Sequence, residues 1–226
     1  MKKWLLTGIV LLAFLPLGAQ QFRPRETWPF LYEDFKDGVV CSDTGDQILE
    51  AKLNISVISQ KLLFLKEDTI MEADMARIFS AKIGKDIYVN VEGKMYKVLA
   101  ESAGGAAVRA YSLDIDQMNK SDIGYGVSSS LASTQQVSAA ALDSNEGTNV
   151  NQAMASRDGG KVLPVAEKTY ILYCKVRLVP ALKREVTAIP GLDKDAVKVF
   201  FKENKIKWTQ PESLTLVADF LTESLK

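Results

Sequence analysis

Apolar and polar residues alternate through much of the first half of the chain. Between 47 and 56 one face is apolar and the other polar: Leu49, Ala51, Leu53 and Ile55 against Glu50, Lys52 and Asn54. A period of two residues predicts a β-strand with one buried face. The runs GVVCS and SQKLLFLKED predict a strand on either side of it, whereas 69–84 fits both a helical turn and a strand.

The segment KDIYVNVEGKMYKVLAES predicts a β-hairpin. With Glu92 and Gly93 as the turn residues, the cross-strand partners on one face are all apolar: Val89 with Tyr96, and Ile87 with Val98. Such pairs stabilise a hairpin in that register. Further on, AAVRAYSLDI predicts another strand, and KTYILYCKVRLVPAL predicts one long strand that ends near Pro180.

The end of the chain has helical periodicity. DKDAVKVFFKENK predicts a helix that buries Val197, Phe200 and Phe201. A second helix is predicted from a capping box between Thr209 and Glu212, with Pro211 in its first turn. Its apolar stripe consists of Leu214, Val217, Phe220 and Leu221. We therefore expect an α+β fold, in which a mostly antiparallel sheet, flat or strongly curled, is covered by two C-terminal helices.

These patterns divide the chain into segments. A β-rich body spans 37–115, and 163–226 holds the long strand and the two helices packed on that body. Between them, 116–162 has no sustained period and is predicted to be a loop-like connector, with a mobile link at Val127–Asp158. The serines Ser128–Ser130 lack the Gly-x-Ser-x-Gly context of a nucleophile and are interpreted as solvated loop residues.

The first residues are typical of a secretory signal peptide. Two lysines precede an apolar run from Trp4 to Leu15, and the small residue Ala19 stands before a cleavage site at Gln20. The run is shorter than the ~20 residues that span a bilayer, so we expect 1–19 to be removed and the mature chain to have no transmembrane span. Residues 20–36 contain clustered aromatics and two prolines, and predict an extended arm lying on the core.

Composition excludes several kinds of chemistry. Lys and Arg number 28, as do Asp and Glu, so the net charge is zero and a nucleic-acid partner is not expected. The chain has no histidine, which excludes Ser-His-Asp triads, Cys-His pairs and zinc sites with imidazole ligands. Two cysteines cannot form a four-cysteine metal site, and no cofactor or metal site is predicted.

The sharpest candidate for catalysis is Asp43, in the sequence Asp43-Thr44-Gly45. Aspartic proteases carry a catalytic aspartate in this motif and pair it with a second one that shares its proton. A chain of this length would supply one aspartate to each subunit of a homodimer. Ser42 and Asp46 depart from the usual context, and the same residues suit a turn between two strands, which is the favoured interpretation.

Cys41 and Cys174 are the only candidates for a disulfide, and an exported compartment would permit one. The bond would close a loop of more than about 100 residues and would stabilise the fold by roughly 4–5 kcal/mol. The other interpretation is that Cys174 is a buried free thiol on the predicted long strand.

Several segments resemble a group of uncharacterised exported proteins of Bacteroidetes-type bacteria: FKDGVV, LNIS, IGKDIYVNVEGKMYKVLAE, GYG, FFKENKIKWTQPESL and the leader ending in Ala19-Gln20. The resemblance implies a β-rich body with a helical tail and no known activity. From the export signal and the lack of a catalytic motif we expect a non-enzymatic binding or interaction module, periplasmic or peripheral to the outer membrane, with an envelope or outer-membrane protein as partner. The alternatives are a carrier of a small apolar ligand or lipid, and a protease-like homodimer that uses Asp43.

Overall fold

The structure is a computed structural model that describes residues 30–67, 69–114 and 165–225. The predicted signal peptide, the first part of the arm and the connector at 116–162 lie outside the described residues. No helix within the described ranges has the length and the apolar character needed to cross a membrane.

The described strands form one antiparallel sheet in the order β10-β9-β8-β7-β6-β5-β1-β2-β3-β4. The strands are β1 Lys36–Cys41, β2 Gln47–Ile55, β3 Leu62–Lys66, β4 Thr69–Glu72, β5 Ser80–Ile83, β6 Asp86–Val91, β7 Lys94–Glu101, β8 Gly105–Leu113, β9 Val165–Tyr173 and β10 Arg177–Pro180. The helices are α1 Lys183–Thr187, α2 Lys194–Glu203 and α3 Pro211–Ser224, with a short 3-10 helix at Met75–Arg77. The predicted α+β class and the C-terminal helices are confirmed.

The sheet is strongly curled but open. The segment after β2 reaches strands that lie far from it in the sheet order: Met95 N–H donates to the Gln60 carbonyl at 2.8 Å, and Leu113 N–H donates to the Val57 carbonyl at 2.9 Å. Strands β6, β5 and β1 lie between β7 and β2, so these contacts require the sheet to bend back on itself. Because the bent sheet does not close, β4 and β10 are its two edge strands.

The predicted hairpin forms β6 and β7 with its turn at Glu92 and Gly93, both at positive φ of 53° and 79°. Val89 lies opposite Tyr96, as predicted. Ile87, predicted on the same face, is instead 50% exposed. The opposite face is buried at Tyr88, which belongs to the main core cluster inside the curl. That cluster contains Val40, Leu53, Ile55, Leu62, Ala73, Met75, Ile78, Ala81, Ile83, Tyr88 and Met95.

A second core lies between the sheet and the helices. Helix α3 packs on β7, β8 and β9, and buries Leu214, Val217 and Leu221 completely or almost so. Phe200 of α2 stacks on Phe220 of α3 with ring centroids 4.3 Å apart. The apolar faces that the helical periodicity predicts are therefore the faces that pack.

Three local predictions are wrong. The predicted long strand is a hairpin of β9 and β10, whose turn has Cys174 and Lys175 at positive φ of 48° and 66°. Cys174-Lys175 is not one of the usual turn pairs such as Asn-Gly, so nothing in this largely apolar segment indicated a turn. The capping box is not formed, because Gln210 is the N-cap and makes no side-chain capping bond. Asn54, assigned to the polar face, is fully buried.

The described part of the arm, from residue 30 onward, lies on the core, where Leu31 and Tyr32 pack against the main cluster. Leu31 N–H donates to the Ile55 carbonyl at 2.9 Å. The buried Asn54 side chain accepts from Tyr32 N–H at 3.1 Å and donates to the Tyr32 carbonyl at 2.9 Å. These two bonds explain why an amide is buried on β2. The Asn54 side chain satisfies the backbone N–H and C=O of Tyr32, as a neighbouring strand would otherwise do.

Candidate binding surfaces and a buried polar network

Asp43 lies in an exposed turn between β1 and β2. Ser42 N–H donates to the Asp46 carbonyl at 2.9 Å, and Gly45 has a positive φ of 87°. Thr44 Oγ1 donates to Asp46 Oδ2 at 2.6 Å. The residues of the Asp-Thr-Gly motif thus form the turn that the sequence favoured, and the homodimeric protease stays an alternative prediction.

Cys41 and Cys174 are free thiols, and both are half-buried. Cys41 ends β1, whereas Cys174 lies in the turn after β9, and β5, β6, β7 and β8 separate these two strands in the sheet. Because both thiols are free, the disulfide considered from sequence is not formed. Cys174 does not lie on a strand face, because β9 ends at Tyr173. The Cys174 N–H donates to Thr222 Oγ1 at 2.9 Å instead of to a neighbouring strand.

A polar network joins the arm to the inside of the sheet. Tyr32 Oη donates to Asp86 Oδ2 at 2.8 Å and lies 2.6 Å from Tyr88 Oη. Lys97 Nζ lies 2.9 Å from the other Asp86 carboxylate oxygen. Lys36 Nζ lies 3.8 Å above the Tyr32 ring. Because the Tyr32 proton points to Asp86, the Tyr88 hydroxyl donates to the Tyr32 oxygen, and the chain of hydrogen bonds is complete.

The ionisable groups of the network keep the same protonation states near neutral pH. Burial, above all, raises the pKa of Tyr32 and of Tyr88 well above the usual 10.0. Burial alone would also raise the pKa of Asp86, but hydrogen bonds from Lys97 and Tyr32 and the nearby lysine charges together lower it below 3.8. Both tyrosines are therefore protonated and Asp86 is ionised, so none of the three titrates near pH 7. This arrangement suits anchoring of the arm better than general acid–base catalysis.

The β4 edge is the most exposed part of the sheet. All four residues of Thr69–Glu72 are exposed, and Ile70 and Met71 each leave 41% of their surface in contact with solvent. Ile70 and Met71 are neighbours in an extended strand, so their side chains lie on opposite faces of the sheet. No strand in the described part of the chain pairs with β4 on its outer side.

The pairing of β4 with β3 shows which backbone groups face outward. Met71 lies opposite Phe64, and two residues later Ala73 N–H donates to the Leu62 carbonyl at 2.9 Å. In an antiparallel pair such bonded positions alternate with positions whose N–H and C=O point away. Ile70 and Glu72 therefore direct their backbone groups away from β3.

An open depression of about 410 Å³ lies beside the end of β4. It is lined by residues around β4, the 3-10 helix and the β6–β7 turn: Ser59, Lys61, Glu72, Ala73, Asp74, Met75, Ala76, Glu92, Gly93 and Lys94. Lys61 Nζ and Glu72 Oε1 form an ion pair across it at 2.7 Å. Charges of both signs thus lie next to the exposed apolar edge.

Neither the polar network nor the β4 edge was identified from sequence. Tyr32 and Asp86 are separated by 54 residues, so only the folded chain brings them together. The four residues TIME carry a local signal, since two large apolar residues lie between the polar Thr69 and the charged Glu72. Their ambiguity between helix and strand concealed the fact that they form an edge.

Among the described residues, no three Cys, Asp or Glu side chains are grouped closely enough to hold a metal ion. Comparison of the chain with protein-family models, with curated proteins and with solved structures found no match.

Proposed function

We propose that this chain is a non-enzymatic binding module of the cell envelope, and that it binds an extended segment of an envelope or outer-membrane protein along the β4 edge. The single observation that carries the proposal is the exposed edge at Thr69–Glu72, with outward backbone groups at Ile70 and Glu72. Export is proposed from the lysines and apolar run at the N-terminus and from the resemblance to exported proteins.

An edge strand with these properties can add a partner strand. The outward N–H and C=O groups supply main-chain hydrogen bonds, and the side chains on the two faces supply specificity. Ile70 on one face and Met71 on the other offer apolar contact to a segment with apolar residues at matching positions. The Lys61 and Glu72 pair at the end of the strand favours polar or charged residues where that segment leaves the edge.

The other edge of the sheet is less suited to this role. Strand β10 ends at Pro180, which has no N–H to donate, and α1 packs against the strand. Proline and a covering helix are common ways to protect a sheet edge from pairing. The difference between the two edges supports a specific use of β4.

The inside of the curl favours an interaction module over a carrier of apolar ligands. Leu53, Ile55 and Tyr88 are each at most 2% exposed and fill the inner face together with the rest of the main core. A carrier would need an apolar cavity of ~300–1,000 Å³ in that place.

The proposal is tested by affinity capture of the tagged full chain from native envelope fractions, with quantitative mass spectrometry. Ile70→Lys places a charge on the edge and discourages strand addition. Val176→Lys is the matched control, because Val176 is 63% exposed in the β9–β10 turn. The edge variant should lose at least ~90% of one envelope protein, whereas the control should retain it.

Circular dichroism and thermal melting must show that both variants fold. Equal recovery of every captured protein by the two variants would contradict binding at β4. If wild type enriches no envelope protein over the empty tag, the binding module itself is contradicted.

A further inference from the structure

A second depression, of about 300 Å³, lies between α1 and α2, far along the chain from β4. It is lined by Lys183, Thr187, Val197, Lys198, Phe201 and Lys202. The lining thus contains three lysines and no carboxylate. The buried Val197 and the half-buried Phe201 are the apolar part of this lysine depression.

The positive charge of the lysine depression is only partly neutralised. Lys198 pairs with Asp195 at 2.8 Å, but both side chains are more than three-quarters exposed, so this pair is weak. Lys183 and Lys202 form no ion pair with any described residue. Lys183 Nζ instead lies 5.1 Å from the centre of the Phe201 ring, which directs its charge over the depression.

Exposed apolar side chains adjoin the lysines. Leu182 directly precedes Lys183 and is 47% exposed, and Val199, which lies one turn before Lys202 on the surface of α2, is 53% exposed. Basic residues interspersed with exposed apolar ones are the pattern of a surface that lies on anionic lipid. A small soluble anion would use the lysines but would leave Leu182 and Val199 without a role.

From this combination we propose that the lysine depression binds the phosphate headgroup of an anionic phospholipid, with Leu182 and Val199 reaching the acyl boundary. The contact is peripheral and reversible, because few side chains take part. It is independent of the β4 edge and would hold the module on a membrane surface while β4 stays accessible to its partner.

The test is co-sedimentation of the protein, recovered from producing cells, with vesicles of phosphatidylcholine alone or mixed with phosphatidylglycerol. The double variant Lys183→Gln, Lys202→Gln is compared with Lys82→Gln, Lys85→Gln, which removes the same charge from an exposed hairpin outside the depression. The depression variant should bind phosphatidylglycerol vesicles about 25-fold more weakly than wild type, since each of the two lysines contributes roughly fivefold. The control should stay within about twofold of wild type, and about 0.5 M salt should weaken wild-type binding.

Two results would overturn the proposal. The first is equal weakening by the two double variants, which would mean that net charge alone acts. The second is wild-type binding that does not depend on phosphatidylglycerol. Equilibrium dialysis with labelled glycerol phosphate separates the two sources of phosphate, because tight binding of the soluble compound, lost in the depression variant, would assign the site to a free anion and contradict a membrane role.

Discussion

Asp219 of α3 accepts a hydrogen bond from the backbone N–H of Gly104 in the β7–β8 turn, at 2.7 Å. The same Asp219 oxygen accepts from the Ser102 hydroxyl at 2.8 Å. One turn of helix later, Thr222 Oγ1 donates to the Gly104 carbonyl at 2.6 Å and accepts from Cys174 N–H. The last helix is therefore joined to two turns of the sheet by polar contacts as well as by its apolar stripe.

Replacing Asp219 by alanine should lower the free energy of unfolding by about 2 kcal/mol, because two donors lose a charged acceptor in a half-buried place. Glu223→Ala on the same helix is the control, since Glu223 is exposed and should change stability by less than about 0.5 kcal/mol. Urea unfolding measures both changes. Equal stabilities of the two variants would show that these bonds do not fix α3.

The contacts of Asp219 show what periodicity can and cannot predict. The stripe of Leu214, Val217 and Leu221 follows from the 3.6-residue period, and all three residues are buried. The partners Ser102 and Gly104 are more than a hundred residues away, and no local pattern connects them to α3. The β9–β10 turn was missed for a local reason, because Cys174 and Lys175 do not favour positive φ.

The polar network makes stability depend on pH in the acid range. The pKa of Asp86 is lower in the folded chain than in the unfolded one, so its contribution is present above about pH 4 and is lost as pH falls further. Asp86→Asn should therefore cost about 1.5–3 kcal/mol at pH 7. The difference from wild type should shrink by pH 3. Chemical unfolding at both values tests this, and a difference that does not change with pH would contradict an ionic role.

The tyrosines act at the other end of the pH range. Burial raises the pKa of Tyr88 in the folded chain, so the stability it contributes is present below about pH 10 and is lost as pH rises above that value. The stability of Tyr88→Phe should therefore fall less steeply than that of wild type as pH rises from about 9.5 to 11. Thermal melting across this range provides the measurement. Parallel curves for the two proteins would mean that Tyr88 titrates in the folded state as it does in the unfolded one.

Both cysteines should remain thiols in the purified protein. Denaturation without reductant should expose two groups that react with a thiol reagent, because Cys41 and Cys174 are free in the fold. The intact mass should accordingly be the same before and after reduction. A loss of two mass units on oxidation in the native host would show that the two residues form a disulfide, which would contradict the free thiols of this fold.

The candidate surfaces differ in how far the sequence reveals them. The spacing of Lys198 and Lys202 places both on one face of a helix that the periodicity predicts. Lys183 joins them only because α1 forms, and a five-residue helix is too short to leave a periodic signal. The local signal of TIME is compatible with an exposed strand but cannot identify a sheet edge, since an edge is defined by the order of strands in the sheet.

The most direct test of the central claim is photo-crosslinking in living cells, with a photoreactive phenylalanine analogue placed at Ile70 or at Val176. Both side chains are exposed, but only Ile70 lies on the β4 edge. We predict a discrete adduct with one envelope protein from position 70 and none from position 176. The same adduct from both positions, or no adduct from position 70, would contradict a binding role for β4.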